Sequence, residues 1–289
     1  MNDEALARLL ALDRPTEVVD VGANPIDGEP PYRAMLAAGQ CRVTGFEPQP
    51  DALRALRQQR GTLERYFPWA VGDGRTHTLH VCAAPGMTSL LEPDPAALTL
   101  FDLLRPMAQV VARVALQTRR LDDMEEVEHL DFLKIDAQGS ELAVLRAGTA
   151  RLAQAVAVQT EVSFVPLYQG QASIGDIDLE LRRQGFLPHC LAELKHWPMA
   201  PCVVNGDPCQ PLRQLLEADL VYVRDITRPD AMSDAQLKQL AMLAHWCFRS
   251  FDLALRCVLL LEQRGALAEG TQARYLRLAA RAALPPAAA

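Results

Sequence analysis

Short apolar runs bounded by glycine, proline and acidic residues alternate along the chain with segments whose apolar positions recur every three or four residues. The first pattern reads as buried strand, the second as amphipathic helix. Val18, Val19 and Val21 make 17–22 a strand that ends in a glycine turn. Further strands are predicted at 42–46, 66–71, 77–81, 110–118, 130–135, 155–160, 186–191 and 220–223. Helices are predicted between them. One carries Leu6, Leu9 and Leu10 behind an Asn2 cap, one runs over 32–38 to Gly39, and one starts at Pro50. Others cover 95–104, 140–146 ahead of Gly148, and 177–184 ahead of Gly185.

Strand and helix in alternation predict an α/β fold with right-handed crossovers and a mainly parallel sheet. The stretch 76–118 breaks the rhythm and reads as an irregular insertion over the sheet edge. From 226 onward the chain is helical. Ser233 and Gln236 have capping-box spacing, and Leu237, Leu240, Ala241, Ala244 and Phe248 trace a broad apolar face. A last helix begins near Thr271 with Tyr275, Leu276 and Leu278, and 287–289 fray beyond two prolines. The tail reads as packed on the domain, with assembly into a homo-oligomer as the other use of its apolar faces.

Composition narrows the partners. The 289 residues are 49% hydrophobic and 22% charged, enough to bury a substantial core. With 29 Lys plus Arg against 36 Asp plus Glu the net charge is -7, so no sustained basic field exists for nucleic acid. No apolar run approaches the roughly 20 residues that cross a bilayer. The opening 15 residues are too acidic for a secretory signal. Seven scattered cysteines predict reduced thiols and a cytoplasmic location.

The sharpest local signal is Val18-Val-Asp-Val-Gly-Ala-Asn24. A strand ending in Asp20, with Gly22 behind it, brings backbone close to a ligand at the carboxyl edge of a parallel sheet. Asp20 suits a cationic amino-acid group, while Gly22, Ala23 and Asn24 offer amides. Glu47 closes the second strand as an acceptor for two ribose hydroxyls. A plain tight turn capped by Asp20 is the competing account. A nicotinamide dinucleotide also wants an acid at the second strand end. The first turn, however, lacks the G-x-G-x-x-G diphosphate cradle and carries Pro25 instead. S-adenosylmethionine (SAM) has no diphosphate and fits better.

Taken in order, several motifs resemble the FkbM-type SAM-dependent methyltransferases of the Rossmann-like class I superfamily. They are Asp20-Val-Gly-Ala-Asn24, Gly45-Phe-Glu-Pro48, Ala70-Val-Gly-Asp73, Leu121-Asp-Asp123, Asp131-Phe-Leu-Lys-Ile-Asp136 with Gly139 and Glu141, Glu161, Gly185-Phe186 and Asp219-Leu-Val-Tyr222. The resemblance spans about residues 15–225. It implies a seven-stranded, mainly parallel sheet with a final antiparallel strand. It also implies SAM contacts at Asp20 and Glu47, the latter followed by Pro48, and adenine near Ala70 and Val71. On this reading 1–225 form the methyltransferase-like domain and 226–289 a C-terminal helical extension. Two departures stand out: Gln138 where the family commonly has glutamate, and Pro25-Ile-Asp-Gly28 in the first loop.

Methyl transfer is a displacement at carbon, so the protein must align acceptor, methyl and sulfur and take up a proton. Asp136 and Glu161 end the fourth and fifth strands of the main sheet, Glu141 lies one turn into the helix between them, and Lys134 shares a strand side with Asp136. These four are the candidate catalytic residues. Lys134 is expected to pair with Glu141 or Glu161, and an ion-pair and capping network is the alternative role for the group. Phe164, Pro166 and Tyr168 are expected to line the acceptor pocket. Asp136, Glu141 and Glu161 could also hold a hard divalent cation, although no specific metal motif is present. His189, Cys190, His196, Cys202 and Cys209 lack zinc-knuckle spacing.

The resulting expectation is methyl transfer from SAM to a small molecule, at a glycan-like or secondary-metabolite hydroxyl. Nitrogen as the acceptor atom stays open. So do a noncatalytic SAM-binding protein, for which Gln138 and Pro25 leave room, and an NAD-dependent oxidoreductase.

Overall fold

The computed structural model describes residues 5–24 and 28–283, with backbone alone at 281–283. The expected Asn2 cap, Pro25, and the fraying 287–289 lie outside the described residues. Seven strands form the main sheet: β1 (Thr16–Val21), β2 (Cys41–Phe46), β3 (Glu64–Phe67), β7 (Phe132–Ile135), β8 (Ala157–Ser163), β9 (Phe186–His196) and β10 (Leu215–Arg224). Their order is β3-β2-β1-β7-β8-β10-β9. The first five are parallel, and β10 runs antiparallel to both β8 and β9. The order reverses beside β1, where a doubly wound sheet opens a crevice at the strands' carboxyl ends. This is the Rossmann-like sheet expected from the sequence.

The expected strand 66–71 is two strands. β3 stays in the main sheet, while β4 (Ala70–Val71) joins a separate sheet of order β4-β6-β5 with β5 (Thr76–Cys82) and β6 (Val110–Arg119). Pro68 stands at the break; without an N–H it cannot continue a ladder. Pro50 opens α3 (Pro50–Gln59) at the first helical position. The expected helix 95–104 stops as α4 (Pro95–Leu100), capped by Asp94 accepting from the Ala96 amide at 2.8 Å, and a 3-10 turn follows.

Val18, Phe132, Ala157 and Val221 point to one face of the sheet, and Val19, Val21, Leu133 and Val158 to the other. Against the second face pack α5 (Glu141–Arg146), α6 (Thr149–Leu152) and α7 (Ile174–Arg183), through Val144, Leu152 and Ile177. The first face is covered by α1 (Ala5–Leu9), α2 (Arg33–Ala37) and the tail. That tail holds three helices where the periodicity delimits two: α8 (Asp234–Trp246), α9 (Phe251–Gln263) and α10 (Thr271–Ala283). Ser233 and Gln236 form the expected reciprocal capping box on α8. Leu237, Leu240, Ala241 and Ala244 are fully buried in the same cluster as Val18 and Phe132. A buried hydrogen bond from Thr16 Oγ1 to Gln239 Oε1, 2.7 Å, ties β1 to α8. On α10 Tyr275 is fully buried, whereas Leu276 is 49% exposed.

Because tail and sheet share one core, Leu240→Ala should cost about 2–5 kcal/mol, the usual range for a buried leucine truncation. Urea unfolding should follow one transition by circular dichroism and by tryptophan fluorescence. A separate early transition of the tail would contradict the shared core.

Candidate functional site

The turns after β1 and β7 meet at the carboxyl edge of the sheet. Gly22 has φ +73, and a Cβ there would stand 1.8 Å from the Asp136 carbonyl oxygen. The Asp136 amide donates to the Val21 carbonyl at 2.9 Å. A side chain at 22 would therefore force the two turns apart. The next turn is equally tight: Gln138 and Gly139 take φ +47 and +96. Its amides are held by Glu141, whose Oε1 accepts from Ala137 N at 2.9 Å and from Gly139 N at 3.0 Å.

A cleft enclosing about 790 Å³, its open mouth included, lies over the ends of β1, β2 and β7. Gly22, Asn24, Glu47, Pro48, Ala70 and Val71 line it, as does Asp136. Six of the eight residues expected to hold the cofactor are thus brought together. The other two, Asp20 and Ala23, line an adjoining cavity on the first face of the sheet, which shares Asn24 and Asp136 with the cleft. Asp20 is 2% exposed; the Tyr32 hydroxyl donates to its Oδ2 at 2.5 Å, and the Lys134 ammonium lies 3.5 Å from Oδ1. Lys134 therefore pairs with Asp20 and not with Glu141 or Glu161. The two residues are register partners on adjacent parallel strands, so their side chains rise together.

Of the four candidate catalytic residues, Lys134, Asp136 and Glu161 line this second cavity, and Glu141 lines neither space. Tyr168, expected near the acceptor, is buried in a cluster under the insertion, where its hydroxyl donates to Gln138 Oε1 at 3.3 Å. Gln138 Nε2 in turn donates to Asp136 Oδ1 at 2.8 Å, and the Ser89 hydroxyl donates to the Gln138 carbonyl at 2.5 Å.

The sequence reading missed the roof of the cleft. Pro85, Gly86, Thr88, Ser89 and Leu90 come from the 76–118 segment, and Trp69 and Gln49 complete the wall. Trp69 was legible beside Ala70 and Val71, and is braced by Arg119 stacked 3.5 Å from its ring centroid. The roof has no motif of its own; only the fold carries that segment over the strand ends.

Burial pushes Glu47 up from 4.5 to about 7, helped by the charges of Asp20 and Asp136 and opposed by the Gln49 amide at 2.7 Å. Burial likewise raises Glu141 to about 7, against the amides it caps. Glu161 lies well above the usual carboxylate range, through burial first and then the charges of Glu217, Asp136 and Glu141. Among the described residues no cluster of three or more His, Cys, Asp or Glu side chains is arranged to hold a metal ion.

The methyltransferase FkbM domain matches residues 20–188, more than half of the chain. The chain belongs to this family. Comparison with curated proteins finds no match. Among solved structures, magnesium protoporphyrin IX methyltransferase from Synechocystis PCC 6803 with bound SAM is 12% identical, with TM-score 0.39, and the match covers 78% of each chain. A putative methyltransferase from Thermoplasma acidophilum is 10% identical at TM-score 0.36, covering 74% of this chain and 70% of that one. Precorrin-6y C5,15-methyltransferase from Geobacter metallireducens GS-15 is 11% identical at TM-score 0.34, covering 77% and 87%. Each is a likeness of fold alone.

The cleft of this FkbM-family chain suits a cationic nucleoside. Its lining offers Glu47 for a ribose diol, apolar Phe46, Trp69 and Val71 for a flat base, and Asp136 for positive charge. Among the described residues that line it, none is basic and able to meet a diphosphate. The cofactor that its family implies is SAM, and these residues fit it.

Below about pH 4.5 Glu47 is neutral whether the chain is folded or not, and between there and about 7 unfolding releases its proton. The stability it contributes is therefore lost as pH rises through about 7. In Glu47→Gln the melting temperature should exceed that of the wild type by more at about pH 8 than at about pH 5. SAM affinity should rise with pH through the same range in the wild type and stay flat in the variant, as calorimetry would show.

Proposed function

We propose that this protein transfers the methyl group of SAM to a hydroxyl oxygen of a small molecule, of the glycan-like or secondary-metabolite kind. The observation that carries this reading is the meeting of two dissimilar spaces at one carboxylate. Among the described residues, the cleft and the polar cavity behind it share Asn24 and Asp136 alone. A two-substrate displacement needs such a junction, with the nucleophile on one side and the leaving group on the other.

Bound SAM supplies an electrophilic methyl on a sulfonium; the rest falls to the chain. Glu47 fixes the nucleoside through its ribose, so that the sulfonium end lies toward Asp136. A hydroxyl in the second cavity forms the new C–O bond as the S–C bond breaks, and its proton passes to the Asp136 carboxylate. Gln138, donating to Asp136 Oδ1, holds that carboxylate in place. Burial and neighbouring acids raise Glu161 well above the usual carboxylate range, which favours its protonated form as a donor to the acceptor's oxygens. Lys134 is engaged by Asp20 and keeps the floor charged and ordered. Glu141 holds the turn and touches no substrate.

Asp136→Asn should lower kcat by about 10²–10⁴, the usual worth of a general base, and change SAM affinity little. Release of S-adenosylhomocysteine in an acceptor screen reads the first, calorimetry the second. Turnover equal to the wild type would remove Asp136 from the reaction, and SAM binding without turnover of any acceptor would favour a noncatalytic role.

A further inference from the structure

The floor of the second cavity is a polar row across four adjacent strands, β1, β7, β8 and β10. Register sets Asp20 beside Lys134 and Lys134 beside Gln159, and Gln159 Nε2 donates to Asp219 Oδ2 at 2.9 Å. One level down, the same face of the sheet carries Val18, Phe132, Ala157 and Val221 in the apolar core. A line of ionised groups over such a core is costly to keep dry, so the row has a use beyond packing.

Its charges do not cancel. Glu161 left aside, the floor sets the carboxylates of Asp20, Asp136 and Asp219 against one ammonium among the described residues, that of Lys134, and these are the three acids that hold Lys134 charged. Lys195, higher on the wall, is taken by Glu217 at 2.9 Å. Above the floor, Arg33 and Arg60 face Glu29, Glu64 and Glu193, leaving one acid over. The larger excess of negative charge is at the bottom.

Gln159 supplies a second, independent sign of a ligand. The residue is 4% exposed and lines the cavity, and its Oε1 has no hydrogen-bond partner. Its orientation is fixed, because a carboxylate only accepts and the amide nitrogen must face Asp219. A buried acceptor left in this way asks for a donor.

We propose that the cavity is the acceptor pocket and selects a polyhydroxylated small molecule carrying a protonated amine, of the amino-sugar or aminocyclitol class. This deepens the methyl-transfer reading and rests on it. The ammonium settles between Gln159 and Asp219, where it meets unbalanced charge and the open acceptor. The remaining hydroxyls lie toward Asp136 and Glu161, and one of them is presented at the junction with the cofactor cleft. A neutral polyol leaves the charge unmet, and an anion is repelled by it.

The test is calorimetric titration of protein saturated with S-adenosylhomocysteine, using amines paired with uncharged partners: glucosamine with N-acetylglucosamine and with glucose, and streptamine with myo-inositol. At least one amine should bind about tenfold or more tightly than its partner. Asp219→Asn and Gln159→Met should each reduce that preference to about threefold or less, with S-adenosylhomocysteine affinity held. Two variants guard against one that fails to fold.

Equal binding of amines and partners, or none, overturns the inference while the cofactor reading stands. An amine that displaces S-adenosylhomocysteine also overturns it, since the floor would then be reading the cofactor's own ammonium. Failure of the wild type to bind S-adenosylhomocysteine brings down the methyl-transfer reading first and this one with it.

Discussion

The contact between Gly22 and the Asp136 backbone is what the rest of the site hangs on. Two parallel strands pair side by side, and at their ends the chain turns away with no room for a single methyl group between the turns. That approach sets where Asp136 stands relative to Asn24 and Glu47. Because Gly22 must adopt φ +73 as well, both its missing side chain and its left-handed backbone are in use. Glu141 supports the arrangement from below by tying the amides of the following turn. Gln138 supports it from above, linking Asp136 to Ser89 and Tyr168 in the roof and its underlying cluster.

Burial gives similar carboxylates different work. Glu47 and Glu141 are both raised to about 7, yet one faces an open cleft and the other spends its oxygen on backbone amides. Glu161 is driven further because acids surround it. Asp20 is paired on both sides, by a tyrosine hydroxyl and an ammonium. Sequence position alone cannot separate these roles, since all four lie toward the carboxyl edge of the parallel sheet, within a strand's last residues or in the segment after it. What separates them is the neighbour each meets in space.

That limit shows in what the sequence made legible. The parallel sheet could be read because its strands are buried on both faces and punctuated by Gly22, Gly139 and Gly185, and Glu47 could be read from its place after the second strand. Asp20 was harder. Alternation puts its side chain on the face opposite Val19 and Val21, away from the cleft that those valines border or support. The split at Pro68 was available in principle, since proline cannot serve a central ladder. The roof from 85–90, the third tail helix and the Asp20–Lys134 pairing depend on contacts between distant segments, and no local period encodes them.

The two spaces also differ in what encloses them. Residues of the 76–118 segment border the cleft but none borders the polar cavity, whose outer wall comes instead from α3, the loop ahead of α2, and β9. If SAM takes the cleft and the acceptor the cavity, changes in the 76–118 segment alter the wall around the cofactor and leave the acceptor's wall as it is, so the two specificities can diverge independently.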